Sequence, residues 1–589
     1  MSDLATLLAV ARGDRPADLR LTNGRVVNVL TEEVEESDVA LSGAWIAGVG
    51  PGYDARETLD LGGQFVLPGL IDAHVHIESS LATPPEFARA VVPRGTTTVV
   101  SDPHEIANVH GLEGIRYMLA ASEGLPLTAF VMASSCVPAT HMGTAGAALG
   151  AGDLASLDHP RVLGLAELMN FPGAIQGAPE VLEKLAAFRG RVVDGHAPGV
   201  TGKALNAYVA SGPRSDHECT SPGEAEEKLR RGLWVFFREA TNARNLLALL
   251  PALSPGSRRR IALCTDDRQP ADLLDKGGID DMLRTLVGEG IDPVQAIGLA
   301  TLNPAEYFGL HDRGAVAPGR RGDLVVVPSL DELRAAMVFS GGKLVAEGGE
   351  ALWPRPPHPP PPPTPSMAVR EDTLDFSIPK RRGQARVIRA VPDQIVTRAE
   401  AATPATADDE VVADTERDLL KIAVVERHTG SGRVGLGLVT GIGLQRGAIA
   451  GTVAHDHHNI IVIGADDTSM RSAVQAVAEL RGGLAVARGD QVLASLALPV
   501  GGLMSEAPVE AIRASLDDVV RSARALGSPL HDPFMAMSFL GLEVIPELKI
   551  TDLGLVDVEA FEPVDFWLDE RRAPAASRDS ADVARNSPA

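Results

Sequence analysis

The chain has 589 residues, of which 45% are hydrophobic, so it is long enough to form several domains with a large buried core. Its formal net charge of −24 argues against nucleic acid or an anionic membrane as a partner, because both require a basic face. Three cysteines are too few for a disulfide scaffold, no apolar run is long enough to span a bilayer, and the N-terminus does not resemble a signal peptide. We therefore expect a soluble, cytoplasmic enzyme.

The first part of the chain predicts a small β domain followed by a barrel. Residues 1–65 contain short predicted strands, in which apolar and polar residues alternate, and an Asn23-Gly24 turn. Residues 66–314 alternate short apolar runs with amphipathic helices, which is typical of a parallel sheet. About eight such units would close into a (β/α)8 barrel. Residues 315–352 return to strand character, and we expect them to complete the small β domain.

The rest of the chain predicts a second α/β unit behind a stiff linker. Residues 353–366 include five consecutive prolines, which favour an extended polyproline segment. Residues 367–568 combine glycine-containing strands with helices, and we interpret them as a separate C-terminal α/β domain. Residues 569–589 have the composition of a disordered tail.

The motif Asp72-Ala-His74-Val-His76 directly follows an apolar run. If the run is a strand, His74 and His76 lie on one face, because residues i and i+2 of a strand point the same way. Their imidazoles would then lie a metal ion's width apart, and imidazole is a good ligand for Zn, Mn and Fe. Two structural histidines at a strand end would explain the motif equally well.

Four further residues of ligand type follow other segments of the predicted barrel. Glu167, His196 and Asp266 each end an apolar run, and His217 follows a short polar stretch. Any one of them could instead be a cap, an ion-pair partner or a structural histidine. Because the carboxyl ends of barrel strands converge on one site, the whole set favours a two-metal centre, in which a carboxylate such as Glu167 can bind both cations.

With these motifs the sequence resembles the amidohydrolase superfamily and, within it, the bacterial adenine deaminase family. The resemblance covers almost the whole chain and rests on several segments: residues 68–80, 102–108, 164–170, 194–198, 264–267, 441–443 and 454–459. The His-x-His motif is specific only to the superfamily, whereas residues 76–80 and 102–108 together are specific to the adenine deaminase group. Other branches bridge their metals with a carboxylated lysine, and Glu167 takes that role here.

The resemblance implies a metal-dependent hydrolase with two divalent cations, for which we expect Mn2+ first, Fe2+ second and Zn2+ last. One cation would be held by His74, His76 and Asp266 and the other by His196 and His217, with Glu167 and a hydroxide bridging them. The activity implied is the hydrolytic deamination of adenine to hypoxanthine and ammonia in purine salvage. The family also implies a homo-oligomer, which we expect to be a dimer.

In the implied mechanism, the hydroxide attacks C6 of adenine. Asp266 would transfer the proton of the hydroxide to the departing amine. Glu105 would protonate N1, or it would serve equally well as a partner that orients a ligand histidine. Asp102, His104, Glu105 and Ser135 are candidate substrate contacts because they follow predicted strands at the barrel mouth.

Several alternatives stay open at this level. The residues 455–459 could bind a metal, fold over the active site or form a solvated turn. Met535 and Phe539 could belong to the core or to a pocket wall. The same metal centre could hydrolyse a cyclic amide, as in hydantoinases and dihydropyrimidinases, and a homologue that keeps the fold but has lost its chemistry would be a binding protein.

Overall fold

The structure is a computed structural model that describes residues 2–362, 366–392 and 394–568. The tail predicted at 569–589 lies outside the described residues. Within them, a ring of parallel strands forms the centre of the molecule. The strands of this ring are Leu70–Val75, Thr96–Ser101, Thr128–Ala133, Val162–Leu168, Val192–Gly195, Ser215–Asp216, Trp234–Arg238 and Ile261–Cys264.

Two junctions close the ring. The first five strands form one sheet in chain order, and the last three form another. The last strand meets the first where Val75 pairs in parallel with Asp266, and the Asp266 N–H donates to the carbonyl oxygen of His74 at 3.0 Å. At the other junction, the Arg214 N–H donates to the carbonyl oxygen of Val193 at 3.0 Å. The (β/α)8 barrel predicted from the sequence is confirmed.

Apolar side chains fill the barrel, and helices surround it. Ile71, Val100, Met132, Ala166 and Phe236 belong to one buried cluster contributed by different strands. Many helices carry proline in their first turn, where its missing N–H is not needed. The helices are Pro84–Val91, His104–His110, Leu112–Ala121, Ala151–Ala155, Phe171–Gln176, Pro179–Ala187, Gly202–Ser211, Pro222–Arg230, Leu246–Leu249, Pro270–Asp275, Ile279–Gly288, Pro293–Leu299 and Leu302–Phe308.

The small β domain is built from both flanks of the barrel, as expected. Its chain begins with the helix Ser2–Ala11, and Phe65–Pro68 pairs antiparallel with Leu324–Val327 to join the two flanks. Its strands are Ala17–Asn28, Glu33–Ser42, Trp45–Val49, Ala55–Asp60, Phe65–Pro68, Leu324–Val327, Met337–Ser340, Lys343–Glu347 and Glu350–Ala351. The domain boundaries themselves stay a prediction.

The apolar run before His74 forms two strands. Phe65–Pro68 belongs to the small β domain, and Leu70–Val75 is the first barrel strand. Gly69 separates them, and a Cβ atom at this position would lie 2.1 Å from Thr97 Oγ1. Glycine therefore allows the chain to pass close to the neighbouring barrel strand as it changes sheets.

The C-terminal part is a mixed α/β unit. The strands of its main sheet are Ala385–Ala390, Thr397–Ala402, Leu420–Val425, Val434–Thr440, Ala448–Gly451, Ile460–Gly464, Gly483–Arg488 and Gln491–Ala497. The smaller sheets contain Ala405–Ala407, Glu410–Val412, Leu548–Thr551, Gly554–Asp557 and Glu562–Val564. The helices are Asp467–Glu479, Val509–Ala525 and Pro533–Ser538.

A continuous hydrophobic cluster joins the C-terminal part to the barrel. It contains Phe87 and Val109 from barrel helices together with Val500, Leu503 and Leu516 from the C-terminal part. The residues 353–362 between the two units contain no helix or strand. Across the described ranges, no helix is both long and apolar enough to cross a membrane.

Candidate active site

The six predicted metal ligands meet at the carboxyl ends of the barrel strands. His74 and Glu167 lie on strands, and the other four follow strand ends; the side chains of all six are buried. The Nε2 atoms of His74 and His76 are 3.1 Å apart. Glu167 Oε1 lies 3.3 Å from His76 Nε2 and 3.7 Å from His74 Nε2. The first histidine pair therefore shares one carboxylate oxygen.

The other oxygen of Glu167 faces the second histidine pair. Glu167 Oε2 lies 2.7 Å from His196 Nδ1 and 3.4 Å from His217 Nε2. Asp266 Oδ1 approaches the first pair, at 3.1 Å from His76 Nε2 and 3.9 Å from His74 Nε2. This arrangement places Glu167 between two groups of nitrogen and oxygen donors.

The donor set fits divalent cations. Several sets of three residues have ligand atoms that all lie within 4.8 Å of one another. Among them are His74 with His76 and Glu167, His74 with His217 and Asp266, and Glu167 with His196 and His217. Buried nitrogen lone pairs that face each other require a proton or a cation between them. Imidazole and carboxylate together suit Zn, Mn and Fe.

A neighbouring backbone group orients one of the ligand histidines. His76 Nδ1–H donates to the carbonyl oxygen of Asp102 at 2.9 Å, since that oxygen can only accept. The lone pair of His76 is then on Nε2, the atom that faces Glu167 and Asp266. Such hydrogen bonds fix the tautomer and the ring plane of metal-binding histidines.

Two charged residues that we did not predict from the sequence complete the site. Arg238 Nη1 donates to Asp266 Oδ2 at 2.7 Å, and Arg238 Nη2 donates to Glu218 Oε2 at 2.9 Å. Burial raises the pKa of Asp266, but the Arg238 guanidinium together with His76 and His217 outweighs this effect and holds the pKa well below its usual value. Arg238 ends a barrel strand, and Glu218 follows His217, so position at a strand end was the signal available for both.

A cavity opens over these residues. One side is lined by the donor residues and by Arg238, and the other by side chains from the C-terminal part. The C-terminal side chains that line the cavity are Ile395, His455, Asp456, Met535, Phe539, Leu542 and Ile545. The cavity is thus completed by the C-terminal part.

The candidate substrate contacts divide into two pairs. His104 and Glu105 line the cavity. Asp102 lies behind His104, at 3.2 Å from its Nδ1, and accepts a hydrogen bond from Ser134 at 2.9 Å. The Ser135 hydroxyl donates to the carbonyl oxygen of Glu167 at 2.5 Å and does not line this cavity. The geometry therefore gives Asp102 and Ser135 supporting positions.

The histidines of residues 455–458 lie over the barrel mouth. His455 Nδ1 is 2.7 Å from Glu105 Oε1, and His458 Nε2 contacts Glu105 Oε2. The His455 ring stacks on Phe539, with ring centroids 4.7 Å apart. Burial raises the pKa of Glu105, but the two histidines outweigh it and lower that pKa well below its usual value. These contacts exclude the solvated turn, which was one of the three alternatives for residues 455–459.

Comparisons with known proteins match both parts of the chain. The model of the amidohydrolase family matches residues 65–345, and the model of the adenine deaminase C-terminal domain matches residues 394–562. The adenine deaminase of Desulfatibacillum aliphaticivorans is 52% identical over 95% of this chain and 99% of its own length. Adenine deaminase 2 of Carboxydothermus hydrogenoformans is 47% identical, over 96% and 100% respectively. A β-aspartyl dipeptidase structure from Fervidobacterium islandicum is 18% identical, covers 58% of this chain and 99% of its own, and has a TM-score of 0.45.

Proposed function

The chain belongs to the adenine deaminase family of amidohydrolases and deaminates adenine, and we propose that it does so with two divalent cations held by six barrel residues. The observation that carries the activity is the 46–52% identity to adenine deaminases over 95% or more of this chain. The six candidate ligands lie together in one buried site, which supports the metal-dependent chemistry.

The two alternative functions are not favoured. A cyclic amide hydrolase shares the barrel, but the match to the adenine deaminase C-terminal domain spans the residues that close the cavity. An inactive homologue would be expected to have lost donor residues, and the six positions keep histidine, glutamate and aspartate. Adenine deamination is therefore the function of this site.

Membership of the amidohydrolase family implies a divalent metal, and we propose two Mn2+ ions, with Fe2+ as the next choice. His74, His76 and Asp266 would hold one ion, His196 and His217 the other, and Glu167 both. When bound, the two cations lower the pKa of water, so that hydroxide is available near neutral pH. The two oxygens of Glu167, which face different histidine pairs, support this assignment.

We assign proton transfer at the leaving group to Asp266. When the oxygen of the hydroxide bonds to C6 of adenine, Asp266 Oδ1 would accept the proton of that hydroxide. Asp266 would then donate this proton to the exocyclic nitrogen. The C6–N bond then breaks, ammonia leaves and hypoxanthine remains. The position of Asp266 supports this role, because Oδ1 faces the donor cluster while Arg238 holds Oδ2.

We assign the protonation of N1 to Glu105. Burial lowers the pKa of His455, but the charge and hydrogen bond of Glu105, together with the charges of Asp267 and Asp456, outweigh it and raise that pKa to about 9. The Glu105–His455 pair therefore carries one proton at neutral pH, and Glu105 would pass it to N1 when the ring gains negative charge. His104 Nε2 lies 3.4 Å from Glu105 Oε1, so Glu105 would also orient His104.

A role in purine salvage, a cytoplasmic location and a homodimer stay proposals taken from the resemblance. The location is supported by the three cysteines, which are all buried thiols of the kind that a reducing compartment maintains.

The proposed function is tested by metal analysis of the purified protein, combined with loss of adenine absorbance and release of ammonia. We expect about two Mn or Fe ions per chain and stoichiometric ammonia, both lost after treatment with a chelator and restored by the metal. Ring opening of hydantoin or dihydropyrimidine without ammonia release from adenine would contradict the proposal.

A further inference from the structure

We propose that Asp456 is the residue that recognises the imidazole edge of the substrate, with its Oδ2 accepting the N9–H of free adenine. This inference rests on the proposed function, since it names the part of adenine that the C-terminal domain binds. It also gives a physical reason for the class of substrate: a free 6-aminopurine base presents an N9–H, and a nucleoside does not.

The first support is an unpartnered oxygen in a buried place. Asp456 is 2% exposed and lines the cavity. Its Oδ1 lies 3.6 Å from His104 Nε2 and 3.9 Å from His455 Nδ1. Its Oδ2 has no hydrogen-bond partner among the described residues. A buried carboxylate oxygen without a donor is costly, so this oxygen calls for a donor from a ligand.

The second support is the use of the other carboxylates around the cavity. Asp266 is held by Arg238 and His76, and Glu105 contacts His455 and His458. Glu218 is bound on both oxygens by Arg238. These three groups already have cationic partners within the protein. Of the other two carboxylates that line the cavity, Glu167 faces the ligand histidines, and Asp267 Oδ1 accepts from the Ser79 hydroxyl. Asp456 Oδ2 has no partner among the described residues and is available to a ligand.

The third support is the set of donors that adenine offers. Its amino group must lie at the donor cluster for C6 to react, and its N1 must receive a proton rather than donate one. The remaining donor is the imidazole N–H, which suits a carboxylate acceptor. The apolar side chains Met535, Phe539, Leu542 and Ile545 line the same wall of the cavity as Asp456 and would contact the ring faces.

Because hypoxanthine keeps the same N–H, this hydrogen bond would stabilise substrate, transition state and product alike. Uniform binding of this kind changes KM more than kcat. We therefore expect Asp456→Ala to raise KM for adenine about 10- to 100-fold, the size of one lost hydrogen bond to a charged group, with a smaller change in kcat. Asp456→Asn keeps the volume and one acceptor oxygen, so we expect a smaller rise in KM.

The decisive experiment uses two adenine analogues that differ only at the recognised position. 7-Deazaadenine keeps the N9–H, and 4-aminofuro[2,3-d]pyrimidine carries an oxygen in its place. Binding of both to the metal-loaded protein is measured by calorimetry. We expect the wild-type protein to prefer 7-deazaadenine by about 10-fold or more, and Asp456→Ala to bind both equally.

The control is Asp490→Ala, which changes an aspartate in a hairpin turn remote from the cavity and should leave both affinities unchanged. Equal affinity of the wild-type protein for the two analogues would overturn the proposal, as would a preference that survives in both Asp456 variants. Because the preference between the analogues is measured separately from ammonia release, this result is distinct from the proposed function, which fails only if the wild-type protein releases no ammonia from adenine.

Discussion

At Asp266, an uncommon backbone conformation is combined with a carboxylate that has two different partners. Its φ angle is 54°, in the left-handed region that few side chains other than asparagine and aspartate adopt readily. Its N–H is bound to His74 O at 3.0 Å, which fixes this conformation. The side chain is therefore aimed by the backbone as well as by Arg238.

Asp266→Asn should abolish turnover of adenine while the protein stays folded. Asparagine tolerates the same backbone conformation, but its amide cannot carry the transferred proton. We expect kcat to fall by about 1,000-fold, within the range typical of a lost general acid–base residue. Steady-state kinetics and metal analysis check this prediction.

The matched control is Asp272→Asn, since Asp272 is partly buried at a helix and binds Lys276 at 2.9 Å on the outside of the barrel. It should keep the parent rate. A rate near that of the parent in Asp266→Asn would show that another group transfers the proton.

The sequence predicted ligand-type residues better than the groups that support them. His196, His217 and Asp266 were recognisable because histidine and carboxylate at successive strand ends are typical of a metal site. Arg238 also ends a strand, but arginine is not a metal ligand, so the pattern did not select it. Asp456 reaches the cavity only through packing of the C-terminal part, so a position over the active site was one of three alternatives that the sequence left open for its segment.

At the scale of secondary structure, Gly195 lets two barrel strands approach each other. A Cβ atom there would lie 2.0 Å from the carbonyl oxygen of Ser215. Gly195→Ala should therefore push the strand Val192–Gly195 away from its neighbour and displace His196. We expect a loss of stability of about 2 kcal/mol, typical of overpacking, together with reduced metal content. Thermal unfolding and metal analysis check both.

Gly223→Ala is the control, because a Cβ atom at Gly223 has no heavy atom within 4 Å, and this glycine lies in a helix. Its stability should be unchanged or slightly higher. If Gly195→Ala and Gly223→Ala change stability and metal content to the same extent, the close approach of the strands at Gly195 does not explain the loss in Gly195→Ala.

The helix His104–His110 carries Glu105 in its first turn and ends in a buried histidine. Burial lowers the pKa of His110 to about 4, with a further contribution from the positive charge of Arg427. The unfolded chain therefore binds more protons than the folded one between pH 6.5 and 4, so stability falls as the pH falls through this window. This group alone accounts for about 2 kcal/mol of lost stability at pH 5.

His110→Phe removes this source of acid sensitivity. Urea unfolding at pH 7 and pH 5 should show a smaller loss of unfolding free energy in the variant than in the parent, by about 2 kcal/mol. His311→Phe, at an exposed position, should lose as much as the parent. Equal losses in the His110 variant and the parent would contradict the prediction.

The alternation of apolar runs and amphipathic helices was sufficient to predict the barrel, but not the limits of its strands. Ser215–Asp216 has two residues and no apolar run, so hydrophobic patterning alone does not identify it as a strand. Phe65–Pro68 and Leu70–Val75 are continuous in hydrophobicity, and only their pairing with different strands assigns them to different sheets.

For the whole molecule, the proline-rich segment predicts a stiff linker between two domains, and in the structure this segment packs against the barrel. Arg355 Nε in this segment donates to Glu86 on a barrel helix at 2.8 Å, and His358 Nδ1 lies 3.1 Å from the hydroxyl of Thr83. The hydrophobic cluster also runs from the barrel helices into the C-terminal part. The segment is therefore bound to the surface of the barrel.

We expect the barrel and the C-terminal part to unfold in one cooperative transition in differential scanning calorimetry. Leu503→Ala, in the shared cluster, should lower the midpoint of the whole transition, with a loss of about 2–5 kcal/mol. Leu553→Ala, at an exposed leucine, is the control and should leave it unchanged. Two separate transitions, of which Leu503→Ala shifts only one, would show that the units are energetically independent.

The junction between Val75 and Asp266 has a consequence for biosynthesis. The strand that carries His74 is made early, yet one of its two carboxylate neighbours, Asp266, is supplied 192 positions later in the sequence. A ribosome-bound chain that has not reached Cys264 lacks the last barrel strand, Ile261–Cys264, which meets the first strand. It therefore lacks the complete set of donor residues. The full set of six donors is therefore available only after Asp266 has been synthesised and the last strand has joined the first.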